Sequence, residues 1–474
     1  MHLKNFCGGG QVIALKSATA LILDRYVILL KTNPTKYDMV IVKATNPNDT
    51  NSIWKFSQLD LNLLKMVIKG LWVYDILLDE NEMKASLGMV LNHYPHLSGR
   101  VEHNGTGITM NNEGVSFYVK HQNNLKISDV QQIKNLHNYF NKGINIPGFV
   151  KGKTAPLSIQ LTHLSDGCIL SIHCSHVCLD GQGFFSFLNN WSKTVKKEPI
   201  GEILLALPPN ILSPKYTKEE ATKLAVAKQW YRVGLTSLLQ LIWQKMTRVN
   251  QRTVQIFLSE NLIKELKTKI EIRSEKKYST HSILSALIVK LCNDLNGFTT
   301  NKPYSLVTVM NLRNRLKGIG QEYVGNAVTN IATPEFQSDL KLEEIAAIVN
   351  DTIKSMIEAE DNRLEEYVQL NIAAAQYTLP YVPFNLTTMN GSKPTCIYIN
   401  NLSKFPIYEC DFGKKNPVFS YPNDLPDQVK LWPSTPDKPG VNIYFSGYLA
   451  KNYSKIKNKR EWLSGVIERE NLPD

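Results

Sequence analysis

His176, Asp180 and Gly181 are the residues of this chain whose types and spacing most readily do chemistry. They lie in Ser171-Ile-His-Cys-Ser-His-Val-Cys-Leu-Asp-Gly-Gln-Gly183, where a histidine is followed by three residues and then Asp-Gly. An imidazole titrates near neutrality, so it can take a proton from an attacking group and return it to a leaving group. An aspartate beside a glycine suits a tight turn. The same residues admit a structural reading, in which a buried histidine bonded to backbone precedes an ordinary Asp-Gly turn. They also admit a zinc reading, because His173, Cys174, His176 and Cys178 are crowded together. Structural zinc sites usually join two separated ligand clusters, and no second His/Cys cluster occurs in the chain.

Two elements must position this histidine. Ile169, Ser171 and His173 alternate with Leu170 and Ile172, which predicts a strand over 168–173. Phe184, Leu188 and Trp191 recur at helical spacing and predict a helix after the motif. His176 therefore falls where a strand ends and the chain turns toward a helix, a place from which a side chain can project into a cleft.

With 474 residues and 43% apolar composition, the chain can build two to four domains, or two large ones. Its net charge of +12 admits nucleic acid, a membrane surface or a phosphorylated small molecule as partner. The lysines form no long basic block, which argues against nucleic acid. The seven cysteines, Cys7, Cys168, Cys174, Cys178, Cys292, Cys396 and Cys410, are odd in number and lack framework spacing. They predict free thiols and a cytoplasmic, reducing compartment. Val12 to Leu30 is apolar but interrupted by Lys16, Asp24 and Arg25. It predicts neither a membrane span nor a signal peptide.

Along the chain, 1–38 reads as an extension of unassigned role. Strands are expected over 39–44 and 157–163, a helix over 80–94 stopped by Pro95, and a hairpin turning at Asn104-Gly105. Prolines at 199, 208, 209 and 214, followed by charged and then apolar helical sequence, mark a crossover. Beyond it come a strand at 254–258, helices at 260–270 and after Ser279-Thr280, and a strand at 304–310. Ser279 or Thr280 reads as an N-cap. One long helical region over 343–375, strands at 396–400 and 441–449, and a helix at 460–468 complete the reading.

Five segments then occur together: Tyr94-Pro-His-Leu-Ser-Gly-Arg100, His176 to Gly181, Leu312-Arg-Asn-Arg-Leu316, Tyr323-Val-Gly-Asn-Ala-Val328 and Asp411-Phe-Gly413. In type and order they resemble the plant-type BAHD acyl-CoA-dependent acyltransferases of the chloramphenicol-acetyltransferase-like superfamily. The likeness spans roughly 54–450, and five ordered motifs are far more specific than one. The chain departs from the family pattern at Ser175, where a second histidine is frequent, and at Lys414 and Leu402, where tryptophans are usual.

The resemblance implies an α/β fold of two chloramphenicol-acetyltransferase-like domains, each a mixed sheet flanked by helices. Their bounds fall at 39–195, carrying the histidine motif, and 246–474, carrying Asp-Phe-Gly, with a long crossover over 196–245. It implies transfer of an acyl group from acyl-CoA to a hydroxyl or amine of a small-molecule acceptor, by a monomer without a metal, a membrane span or a nucleic-acid partner. His176 would be the general base. Asp180 would turn away from the site to pair with Arg313, and Gly181 would relieve crowding. Asp411 and Gly413 would support the site, Ser279 and Thr280 would line the CoA tunnel, and Leu402 would line the acceptor pocket. Lys414 would reach the developing oxyanion or the CoA phosphates, or else point to solvent as most lysines do. Two alternatives share the histidine motif: a condensation-type domain fed by a carrier-protein thioester, and a catalytically silent relative that binds a ligand or partner.

Overall fold

The computed structural model describes residues 38–47, 52–61, 63–130, 132–133, 136–208, 211–247, 253–297, 303–358, 362–389, 394–422 and 428–469. The extension at 1–37, with Cys7 and the apolar run at 12–30, lies outside the described residues. Two six-stranded sheets organise the rest. In chain order their strands are β1 (Asp38–Val42), β2 (Val67–Tyr74), β3 (Val115–Gln122), β4 (Leu157–Leu164), β5 (Cys168–Ser175), β6 (Val254–Ser259), β7 (Ser305–Asn311), β8 (Val328–Ala332), β9 (Cys396–Asn401), β10 (Phe419–Tyr421), β11 (Gln428–Pro433) and β12 (Gly440–Phe445). The first sheet runs β1-β3-β4-β5-β2-β10 and the second β6-β12-β11-β9-β7-β8. Each mixes parallel and antiparallel pairs, β3–β4 and β7–β9 being parallel.

The helices needed below are α1 (Gln58–Leu61), α2 (Glu80–Val90), α3 (Gly181–Val195), α4 (Lys218–Ala227), α5 (Leu235–Thr247), α6 (Glu260–Ser274), α7 (Thr280–Leu295), α8 (Leu342–Ile357), α9 (Arg363–Gln376) and α10 (Leu386–Met389). β5 lies between β4 and β2, and every residue of it is buried, Ser171 and His173 included. A strand covered on both faces has no side turned to solvent, so Ser171, His173 and Ser175 are buried polar residues on it. α3 lays Phe184, Phe187, Leu188 and Trp191 into the same core as Trp72, Leu170 and Ile172. The Trp191 indole N–H reaches the Ser86 hydroxyl of α2 at 3.0 Å. A separate core under the second sheet joins Ile256, Leu287, Leu291, Ile345 and Ile443.

Three expectations change. The helical region at 343–375 is two helices, α8 and α9, with Asn362 at φ 55° before the second; a left-handed residue cannot sit inside a helix. The strand expected over 441–449 ends at Phe445, because Gly447 at φ 69° turns the chain into the helix Gly447–Tyr453. The helix from Glu80 ends at Val90, several residues short of Pro95. The crossover is also more than a tether. Leu212, Ala221, Ala225 and Trp230 are buried in a third core with Leu312, Tyr323, Val368 and Leu370. β10 leaves the second half and pairs with β2 of the first sheet, Ser420 opposite Trp72. The two halves therefore interlock.

Candidate active site

The chain leaves β5 at Ser175 and passes His176 before Asp180 caps α3. The backbone there is fixed on both sides: the His176 N–H donates to the Met66 carbonyl at 2.8 Å, and the Ser175 N–H to the Pro156 carbonyl at 2.7 Å. Asp180 takes an extended conformation, and its carboxylate accepts the Gly183 N–H at 2.9 Å. A carboxylate at that place satisfies one of the orphan donors of the helix and suits its positive end.

Asp180 turns away from His176 and meets Arg313 from the other half of the chain. Arg313 Nη1 donates to Asp180 Oδ2 at 2.7 Å and Nη2 to Asp180 Oδ1 at 3.1 Å, with both side chains essentially inaccessible to solvent. The remaining guanidinium donors go to the carbonyls of Tyr323 at 2.7 Å and Gly325 at 2.8 Å and to Asn311 Oδ1 at 3.2 Å. Asp180 Oδ2 also accepts the Ala327 N–H at 3.0 Å. A buried pair is tolerable only when its leftover donors and acceptors are satisfied, and here they are. The pair thereby fixes the loop 311–327 against the start of α3. Gly183 closes the joint: a Cβ there would lie 2.1 Å from the Val324 carbonyl oxygen. Gly181 is less constrained, since its Cβ would meet only Leu402 Cδ2, at 3.5 Å. Leu402 thus stands in front of the motif from across the two halves.

The loop brings Asn326 to the histidine. Its amide nitrogen donates to the carbonyls of His176 and Val177 at 2.8 and 3.1 Å and to Asp60 Oδ1 at 2.8 Å. Carbonyls only accept, so the nitrogen must face them and Oδ1 must face the imidazole. Asn326 Oδ1 lies 3.1 Å from His176 Nδ1, which must therefore carry the proton. Nε2 keeps its lone pair. Burial pushes the His176 pKa below its ordinary value of 6.5, against the opposing pull of its own carbonyl, the Asp180 charge and Asn326. The ring is accordingly neutral at pH 7. Asp60, at the start of the chain's path into the site on α1, is buried, and that burial raises its carboxyl to about 6 despite hydrogen bonds from Ser57 and Asn326.

The second motif lies elsewhere. Asp411 accepts the Ser192 hydroxyl at 3.0 Å and Lys196 Nζ at 3.4 Å, both at the C-terminal end of α3. Phe412 sets its ring edge-on to Trp191, and a Cβ on Gly413 would sit 3.3 Å from Lys196 Cγ. α3 has 15 residues, so this loop stands about 22 Å along the helix from the His176 end. Lys414 is exposed there. An exposed place a helix length from the histidine fits the solvent-facing reading of Lys414 better than a place at the oxyanion. Ser279 is the N-cap of α7, accepting the Ser282 N–H at 3.0 Å, with Thr280 as the first helical residue. Among the described residues no group of His, Cys, Asp and Glu is arranged to hold a metal, and the six described cysteines are free and buried.

Asn326, Asp60 and Gly183 are parts of the site that the sequence alone does not assign. An amide side chain inside the matched segment Tyr323 to Val328 was the available signal for the first. Nothing local marked the other two.

The Transferase family matches residues 35–462, nearly the whole described chain. The chain belongs to the Transferase family. It is a BAHD acyltransferase, as the motifs implied. It is similar to vinorine synthase of Rauvolfia serpentina, 26% identical over 184 residues, a match covering 36% of this chain and 42% of that one. It is 21% identical to a hydroxycinnamoyltransferase of Narcissus pseudonarcissus, covering 82% of this chain and 90% of that one. In fold it matches the crystal structure of vinorine synthase with TM-score 0.64 at 17% identity, covering 87% of this chain and 94% of that one. F. sporotrichioides TRI101 complexed with coenzyme A and T-2 matches with TM-score 0.64 at 16% identity, covering 86% and 98%. The two mixed sheets flanked by helices are therefore the two-domain BAHD fold.

Proposed function

We propose that this acyltransferase moves an acyl group from acyl-CoA to a hydroxyl or amine of a small-molecule acceptor, with His176 Nε2 as the general base. The observation that carries this reading is the fixed tautomer: Asn326 holds the proton on Nδ1, leaving Nε2 free to accept one. The acceptor's nucleophilic atom attacks the thioester carbonyl as Nε2 takes its proton. The tetrahedral intermediate collapses, the carbon–sulfur bond breaks, and the imidazolium returns the proton to the CoA thiolate. A histidine held neutral at pH 7 is in the state this sequence begins from.

Coenzyme A and T-2 in the TRI101 complex, and the hydroxycinnamoyl relative, support a CoA thioester donor and a small organic acceptor. Leu402 faces Gly181 across the entrance to the motif and would contact the acceptor. Ser279 and Thr280, at the start of α7, would lie along the CoA path. Asp180, Arg313 and Gly181 shape the loop, and Asp411 and Gly413 anchor the far end of α3. The test is incubation with a panel of acyl-CoAs and pooled alcohols and amines, with mass spectrometry for acylated product and titration of released CoA thiol. Product and thiol should form in equal amounts and vanish in His176→Ala. Consumption of a carrier-bound thioester but of no free acyl-CoA would overturn the reading in favour of a condensation domain.

A further inference from the structure

α5 is turned inside out. Leu235, Leu238, Leu239, Ile242 and Trp243 are 72%, 49%, 58%, 46% and 67% exposed. At 100° per residue these five occupy one arc of about 140°. The residues half-buried toward the protein are Ser237 and Leu241, where the helix leans on α10. A helix of a water-soluble domain ordinarily buries its apolar stripe, so a stripe of this width facing outward marks an interaction surface.

The charge around it says which kind. From Gln229 to Ser259, the stretch that holds α5, the chain has Arg232, Lys245, Arg248 and Arg252 and not one Asp or Glu. On neighbouring elements Glu366 pairs with Lys228 and Glu365 with Lys215, and Glu335 accepts the Tyr231 hydroxyl. Arg232 is exposed. An apolar stripe carrying a tryptophan within basic sequence fits the boundary between acyl chains and anionic headgroups. A second copy of the chain would bring two such basic faces together, which like-charge repulsion opposes. No described helix is long and apolar enough to cross a membrane.

We propose that α5 lies in the plane of an anionic lipid surface and attaches the enzyme there reversibly. This does not depend on the acyl-transfer reading. It places the enzyme where apolar acceptors and long-chain acyl thioesters concentrate.

The test is flotation of the full-length protein with phosphatidylcholine vesicles made with and without phosphatidylserine. The wild type should bind the phosphatidylserine vesicles at least ~10-fold better and be released as salt shortens the screening length. Leu239→Glu/Ile242→Glu, on exposed positions, should lose at least ~10-fold of that binding with its melting temperature unchanged. Arg232→Glu, which spares the stripe, should weaken binding to the anionic vesicles alone. Failure of the wild type to float, equal binding to both vesicles, or a double variant that floats as well as the wild type overturns the proposal. So does a wild-type dimer that the double variant dissociates, which assigns the face to a second copy. Hydrogen-exchange protection shared by α5 and residues 12–30 without lipid also overturns it, by assigning the face to the N-terminal segment.

Discussion

The two ends of α3 carry an aspartate each, and the environments differ in almost every respect. At the N-terminal end Asp180 is sealed from solvent, takes a bidentate guanidinium from the other half of the chain, and caps the helix. At the C-terminal end Asp411 is half-buried. Burial alone would raise its carboxyl, but the Gly413 N–H, the Ser192 hydroxyl and Lys196 hold it below its ordinary value. The first aspartate locks a loop that fixes the tautomer of a histidine. The second ties the returning chain to the helix from outside, where water and salt screen the charge. Both motifs are equally visible in the sequence, yet only the first is tied to the loop that holds His176. A motif's recurrence does not by itself distinguish a reacting group from a clasp.

The contrast can be broken most sharply at the histidine. If Nε2 is the base, as proposed, His176→Ala should lower kcat by at least ~10²-fold while leaving the melting temperature within error of wild type, because the backbone there is held independently. Near-wild-type turnover would remove His176 from the mechanism. Next in size are the two aspartates. Asp180→Ala should cost about 3–5 kcal/mol of unfolding free energy, since it leaves the Arg313 charge buried and unpaired. Asp411→Ala should cost about 1 kcal/mol, as a solvent-screened pair with a few hydrogen bonds. Equal costs in urea melts would erase the distinction between the ends.

Asn326→Ala sharpens the same comparison by freeing the imidazole, and it also removes the amide's bonds to the His176 and Val177 carbonyls and to Asp60, so it should lower the melting temperature as well. Loss of its contact to Nδ1 should lower kcat about tenfold, near the net worth of that one hydrogen bond, with little change in KM. A rise in KM at constant kcat would instead mean that Asn326 binds substrate. The pH profile gives a smaller effect. The base works only unprotonated, and burial depresses its folded-state pKa, so activity should persist below pH 6.5 and fall as pH descends through the lowered value. Asp60, raised to about 6, titrates nearby, and Asp60→Asn isolates the histidine limb. A limb centred above pH 6.5 in that variant would contradict the burial argument. The smallest expected effect is at Lys414. Lys414→Ala should leave kcat unchanged, and a large loss would bring the second motif back into the reaction.

How much was legible varies with the range of the interaction. Cys168–Ser175 and Gly181–Val195 follow from apolar spacing within a few residues, and the structure extends the predicted strand only to Ser175. The break at Asn362 was not legible, because the apolar spacing on either side continues in register through it. Which of its readings Lys414 follows was not legible, because adjacency to a motif says nothing about where the motif lies, and about 22 Å of helix separates the two ends.

By itself the sequence determined the family's motifs, the histidine at a strand end, the mixed α/β class and the basic charge. These are local patterns or sums over composition, and they survive without knowledge of contacts. The tertiary structure alone decided that Asn326, 150 positions from His176, selects its tautomer, and that Asp60 in turn accepts from that amide. It alone decided that Gly183 must lack a side chain because the Val324 carbonyl occupies its place, and that the apolar stripe of α5 faces outward. Each depends on which distant backbone is folded against a residue, and hydrogen-bond direction and steric exclusion act only once that neighbour is present.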